Sequence, residues 1–380
     1  GAAEKGGVLL LLGDDHICES STTAHQSELA MVDALVPVLN PSGVQEILEY
    51  GLAGIALSRF SGAWVALKCI HDTVESTGSV AVDPDRVRWV EPDGVPGPAG
   101  RRSDWVPREM PLPLVALEQE RRLHTEKLDA ARAWVRANGL DRIVLGEAGA
   151  PFLVVTCGKS WQDVVAALDE LEIDEGRARA LGLAVYKPAM TFPLEPEALT
   201  LAVGRARLVM VVEEKRALVE DQAKVILFDR GLHPKVIGKR DEAGAPLFPS
   251  NGSLDAASIA LQIARRLVER TGDRTLAERM AELERRAEAA RALAAPGFVR
   301  MPWFCPGCPH NTSTKVADGS RAVAGIGCHF MATWMDRNTA GFTQMGGEGA
   351  SWLGEAPFSR DGHVFQNIGD GTFYHSGSLA

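Results

Sequence analysis

The sequence predicts an α/β protein of several domains, built on parallel sheets with helices on both faces. Three observations carry this. Apolar runs at 8–12, Phe152–Thr156 and Leu208–Val212 are nearly continuous, as in strands buried on both sides. Between 118 and 240 such runs alternate with segments of helical period, the βα order of a parallel sheet. At roughly 150 residues per domain, 380 residues imply two or three domains.

The elements follow in chain order. Residues 8–12 form a buried strand ended by Asp14-Asp15, and 20–28 form a polar turn. Residues 36–41 give a short strand stopped by Pro41. Ser42 and Gln45 then make a capping start, at N-cap and N3. Residues 63–70 are a further apolar run. Six prolines (92, 96, 98, 107, 111, 113) and three glycines (94, 97, 100) mark 92–113 as a linker or long loop. A charged helix spans about 118–137. Strands at 143–145 and Phe152–Thr156 precede a helix in which Trp161, Val164, Val165, Leu168 and Leu171 recur at helical spacing. A strand at 183–186, a helix near 195–203 and the strand Leu208–Val212 complete this part. Residues 273–295 form a Glu/Arg/Ala-rich connector helix with a narrow stripe of Leu276, Met280 and Leu283. Glu282 and Arg286 form an i,i+4 pair on it, and Pro296-Gly297 ends it. The domain expectations are 1–90, a linker 91–114, an α/β domain 115–240, a connector 241–297 and a last region 298–380.

The net charge of −10, without a long basic stripe, argues against nucleic-acid binding. No apolar run approaches the roughly 20 residues that span a bilayer. Six cysteines are too few for a disulfide scaffold, and three of them fall within 305–328. With no signal-peptide pattern, a reducing, cytoplasmic setting is expected. A start at Gly1 and a stop inside a glycine-rich apolar segment suggest an internal piece of a longer protein.

Two motifs fail. Gly158-Lys159-Ser160 lacks the P-loop glycine five residues earlier, where Leu153 stands, so a strand-to-helix turn is expected. Gly325-Ile326-Gly327 lacks the third glycine of a dinucleotide fingerprint, where Phe330 stands. Glu213-Glu214 closes a strong strand, where α/β sites collect, but a Glu-Glu-Lys run is usually a solvated strand end.

Three motifs hold. In Cys305-Pro306-Gly307-Cys308-Pro309-His310, two thiols three apart can face one metal across a turn that Gly307 permits. Cys328, in Gly327-Cys328-His329, adds a third. Structural zinc, an iron–sulfur cluster or a redox pair could use them. In Asn367-Ile368-Gly369-Asp370-Gly371-Thr372, a strand runs into glycines and a helix start, which suits a diphosphate. Asp370 offers a hard oxygen to Mg²⁺. The run Gln344-Met345-Gly346-Gly347-Glu348-Gly349 is either a flexible loop or a place of close backbone approach.

In this order the motifs resemble the thiamine-diphosphate-dependent 2-oxoacid:ferredoxin oxidoreductases, specifically the long single-chain bacterial indolepyruvate group. The 305–310, 325–329, 344–349 and 367–377 segments resemble its cofactor domain. Residues 187–196 and Val212-Glu213-Glu214-Lys215 resemble its transketolase-C-terminal-like domain. Gly13-Asp14-Asp15-His16, Ser20-Ser21, Gln26-Ser27-Glu28 and Ile55-Ala56-Leu57-Ser58 resemble the end of its pyrimidine-binding domain. The resemblance implies a thiamine-diphosphate-binding fold truncated at both ends. It implies oxidative decarboxylation of an aryl 2-oxoacid, acyl capture by coenzyme A, and electrons leaving through a [4Fe–4S] cluster to ferredoxin. Cys305, Cys308 and Cys328 would hold the cluster and Asp370 the Mg²⁺. Gly369, Gly371 and Thr372 would line the diphosphate. His310, His329, His375, Gly346 and Gly347 would lie around the cofactor. A homo-oligomer is implied, because thiamine folds place cofactors between paired domains. The activating Glu, a metal-binding Asn and a fourth cysteine are expected outside the chain, so the isolated 380 residues should not turn over indolepyruvate. A non-redox thiamine-dependent decarboxylase and a zinc-stabilised binding module are the alternatives.

Overall fold

The structure is a computed structural model and describes residues 2, 6–19, 21, 23–83, 85–93, 95, 111–293 and 301–378. The chain divides into two compact units, Gly1–Arg291 and Ala292–Ala380. Most of the expected linker at 92–113, and Pro296-Gly297, lie outside the described residues.

The first unit holds β1 (Leu9–Asp14), β2 (Val38–Leu39), β3 (Val65–Ile70), β4 (Arg142–Leu145), β5 (Phe152–Thr156), β6 (Leu183–Lys187), β7 (Met190–Phe192), β8 (Leu208–Val212) and β9 (Lys235–Ile237). They make a four-stranded sheet, β1-β3-β2-β7, and a five-stranded sheet, β4-β6-β5-β8-β9. Both are parallel except at one edge: β7 runs antiparallel to β2, and β4 antiparallel to β6. Sequence reasoning missed β7, three residues that join the first sheet from far along the chain.

Helices cover both faces of the five-stranded sheet, and the period-2 alternation of its strands shows how. Phe152, Val154, Val185, Met210 and Val212 enter one core with the helices Gly158–Glu170 and Ala256–Thr271. Leu153, Val155, Ala184, Val209 and Val211 enter the other, with Pro196–Val203 and Val219–Asp229. Each strand therefore has no polar face, which is why its sequence is a continuous apolar run. The helix Arg274–Leu293 lays Leu276 and Leu283 on the first core, as its stripe predicts. In the four-stranded sheet, Leu39, Val65 and Leu67 pack against Val44–Ser61 and Leu128–Ala137.

Four expectations need correction. The strand at 8–12 is not buried on both faces: β1 is an edge strand and Leu11 is 69% exposed. The capping pair is displaced. Gly43 is the N-cap, and Ser42 donates from both its N–H and its hydroxyl to Glu46, while Gln45 bonds the backbone of Ala81. The helix at 118–137 begins at Leu112 and contains a π-turn, Leu123–Lys127. Arg286 reaches Glu170 (3.0 Å), and Glu282 pairs with Arg285 instead.

The second unit carries β10 (Ala322–Ala324), β11 (Thr339–Phe342) and β12 (Phe365–Gln366) in a parallel sheet ordered β11-β10-β12. As the motif predicts, β12 runs into Gly369, which is extended, and a helical turn starts at Asp370. No helix among the described residues is long and apolar enough to cross a membrane.

Candidate functional site

In the second unit, the sequence motifs converge on Gly325, just beyond β10. A Cβ there would lie 2.5 Å from the Asn367 carbonyl oxygen, 2.9 Å from His329 Nε2 and 3.1 Å from Glu348 Cγ, so only glycine lets these groups approach. Next to it, Gly369 sits against the Ile326 carbonyl, His329 and Thr372. Gly346, at φ +90°, brings the 344–349 loop against Ser376. The loop reading that favours close approach is the one the structure adopts.

Among the described residues, buried polar atoms of these segments stand without partners: His329 Nε2 and Glu348 Oε1, of the two side chains beside Gly325, and Gln366 Oε1 and Asn367 Nδ2 at the end of β12. His329 and Glu348 are almost fully buried. Native interiors pair most such atoms, so a cluster of orphans marks a place for a guest. Burial, then the neighbouring His310, push the His329 imidazole below its usual value, against the pull of Glu348. These side chains offer acceptors and a donor, and the adjoining Gly369–Thr372 backbone offers a glycine-lined turn. A diphosphate-bearing heterocycle such as thiamine diphosphate fits this set. Thr372 is buried, whereas Asp370, Gly371 and His375 are exposed.

Cys305 and Cys308 share one tight turn: the Cys308 N–H donates to the Cys305 carbonyl (3.0 Å), with Gly307 at φ +77°. Cys308 Sγ lies 3.3 Å from His310 Nδ1, and the His310 ring is 6.0 Å from that of His329. The cysteine turn thus lies beside His310 and, through it, near His329. All three thiols of this region are free. Among the described residues, no three His, Cys, Asp or Glu side chains are gathered closely enough to hold an ion.

The first unit hides a second polar centre that sequence reasoning underrated. Glu213-Glu214-Lys215 is not a solvated strand end, because all three residues are buried. Glu213 accepts the N–H groups of Leu218, Val219 and Glu220. Burial nevertheless raises its carboxyl to about 7 against those bonds and Lys239. Glu214 bonds His16 Nδ1, Lys159 Nζ (3.2 Å) and the Leu254 N–H (3.1 Å). Burial pushes the Glu214 carboxyl up, but His16 and Lys159 outweigh it and hold it at about 2. Lys215, at φ +60°, turns its ammonium back onto the His16 carbonyl. Lys68 pairs with Glu28 (2.7 Å) beside Asp14. His16, Glu28, Lys68, Cys157 and Glu214 line a cavity of ≈ 20 Å³, about the room of one water. It lies off the carboxyl ends of β1, β5 and β8. Lys159, in the rejected P-loop motif, opens a helix after β5 and serves this network.

Residues 142–291 match the model of the indolepyruvate oxidoreductase domain family. The chain is 25% identical over 402 aligned residues to the indolepyruvate oxidoreductase subunit IorA of Thermococcus kodakarensis, covering 99% of this chain and 57% of that protein. It is 24% identical over 385 residues to the same subunit of Archaeoglobus fulgidus, covering 98% and 55%. The chain therefore spans a little over half the length of these relatives. Among solved structures, it is similar to a 2-oxoglutarate:ferredoxin oxidoreductase of Magnetococcus marinus, with TM-score 0.43, 13% identity, and coverage of 70% of this chain and 49% of the other. The matches point to one class: residues 142–291 match an indolepyruvate oxidoreductase domain, and nearly the whole chain is similar to oxidoreductase subunits. The relatives it resembles are named as indolepyruvate oxidoreductase subunits.

Proposed function

We propose that the protein containing this chain oxidatively decarboxylates an aryl 2-oxoacid of the indolepyruvate type. The 2-oxoacid, coenzyme A and two oxidised ferredoxins give the acyl-CoA, carbon dioxide, a proton and two reduced ferredoxins. When bound, thiamine diphosphate supplies the carbon that accepts the electron pair left by decarboxylation. The observation that carries this reading is the pair of buried side chains with unpartnered atoms beside Gly325, His329 and Glu348, next to the Gly369–Thr372 turn.

The chain's own residues then have distinct tasks. The Gly369-Asp370-Gly371 backbone holds the diphosphate, and Asp370 offers an oxygen to Mg²⁺. His329, whose imidazole burial pushes below its usual value, would turn its unpartnered Nε2 to the cofactor. His310, with Cys308 on one side and the His329 ring on the other, would link the thiol turn to the cofactor. Cys305, Cys308 and Cys328 would be ligands of the [4Fe–4S] cluster. A homo-oligomer is the assembly we expect, with cytoplasmic location.

The test is made on anaerobically purified full-length protein. Iron and sulfide at about four each per chain, thiamine diphosphate binding by calorimetry, and coenzyme-A-dependent reduction of ferredoxin by indolepyruvate are expected. Decarboxylation without ferredoxin reduction would favour a non-redox decarboxylase. One equivalent of zinc with no thiamine diphosphate binding would favour a binding module.

A further inference from the structure

We propose that the small cavity between the strand ends of the two sheets in the first unit binds one water molecule. That water joins the Lys68–Glu28 pair to the His16–Glu214 pair and makes them one network. The site lies wholly in the first unit, so it stands or falls apart from the proposed function.

The cavity of ≈ 20 Å³ draws its lining from both sheets. His16 follows β1, Glu28 opens the helix Glu28–Asp33 and Lys68 lies on β3. Cys157 and Lys159 follow β5, and Glu214 follows β8. His16 and Glu28 are almost fully buried, and each is held on one side only. His16 Nδ1 bonds the Glu214 carboxylate, while Nε2 has no partner among the described residues. Glu28 Oε1 takes the Lys68 ammonium at 2.7 Å, while Oε2 likewise has none. An unmet buried polar atom is costly, and two of them belong to residues lining one cavity.

Charge decides what the guest is. A cation would face the ammonium groups of Lys68 and Lys159, and an anion the carboxylates of Glu28 and Glu214. The lining is already balanced within itself. Lys68 pairs with Glu28, and Lys159 pairs with Asp163 (3.0 Å) and Glu214 (3.2 Å). Glu213, a further acid of the lining, accepts the N–H groups of Leu218, Val219 and Glu220. The guest is therefore neutral, donates to Glu28 Oε2 and fits about one water-sized volume. Water does this. It meets His16 Nε2 in either role, as donor or acceptor, and its oxygen can accept from the Lys68 ammonium, which has three N–H groups. The bridge carries the His16–Glu214 contact across to β3, so the ends of the two sheets share one polar network.

The experiment is crystallography of the full-length protein, at a resolution that shows ordered water and with anomalous data. Wild type is compared with His16→Asn and Glu28→Gln. The expected wild-type result is one peak without anomalous signal, about 2.6–3.2 Å from both His16 Nε2 and Glu28 Oε2. His16→Asn keeps an N–H for Glu214 but removes Nε2, so the peak should shift or vanish. Glu28→Gln keeps an acceptor for Lys68 and offers an N–H in place of Oε2. Water turns its oxygen to that N–H and stays, whereas a cation is lost. No wild-type peak, or a peak touching only one of the two atoms, would overturn the proposal. So would an anomalous scatterer or contacts near about 2.0–2.2 Å, which mark a metal ion. A peak unmoved in His16→Asn, or lost in Glu28→Gln, would overturn it as well. The wild-type structure decides alone if either variant fails to fold.

Discussion

At the scale of single residues, the most demanding chemistry lies in side chains whose partners are remote in sequence. Glu214 and His16 meet across 198 positions, and Lys215 reaches back to the same histidine. Nothing local distinguishes Glu213-Glu214-Lys215 from an exposed charged run, so burial could not be read there. The pattern Gly325-Ile326-Gly327 was legible as glycine-rich, but its use became visible only through the side chains that crowd it. The Glu214 carboxyl, ordinarily near 4.5, sits at about 2 in the folded chain. A depressed carboxylate stabilises the fold above its unfolded value and loses that contribution as pH falls from 4.5 toward 2. We therefore expect urea unfolding of the wild type to lose up to about 3 kcal/mol from this group over that range. Glu214→Gln, less stable at pH 6, should lack this component. Parallel acid curves for the two proteins would remove Glu214 from the explanation.

At the scale of elements, strands were more legible than helix ends. A strand buried on both faces leaves an uninterrupted apolar run, so β5 and β8 were predicted with their observed bounds. A short strand such as β7 holds three residues, too few to show a period, whereas the two-residue β12 was legible from the glycine motif that follows it. Helix starts depend on one hydrogen bond, and the Ser42 signal was offset because Glu46, not Gln45, faces it. The helix Val44–Ser61 allows a controlled test of packing. A methyl on Gly51 would meet nothing within 4 Å, whereas on Gly54 it would lie 2.6 Å from Leu9 Cδ1. Gly51→Ala should stabilise by about 0.5–1 kcal/mol through reduced unfolded-state freedom. Gly54→Ala should fall below it by about 1 kcal/mol or more, because Leu9 must shift against β1. Thermal melts of the two variants would decide, and equal stability would refute the close packing of this helix on β1.

At the scale of the whole molecule, the alternation of apolar runs and helical periods was sufficient to give parallel α/β architecture, and the five-stranded sheet bears this out. It could not reveal that a strand from beyond residue 187 completes the first sheet, because pairing order is not written in local periodicity. One feature of that sheet has a practical side. β1 is four leucines followed by glycine, its outer backbone groups face no neighbouring strand among the described residues, and Leu11 projects into solvent. Such an edge is a template onto which another extended chain can add. The isolated 380-residue polypeptide should therefore self-associate with rising concentration, and Leu11→Lys should suppress this in sedimentation or light scattering while leaving stability within about 0.5 kcal/mol. Equal association of both proteins would place the contact elsewhere. For anyone preparing this chain, Leu11 is the position to change first if the protein associates before any cofactor is added.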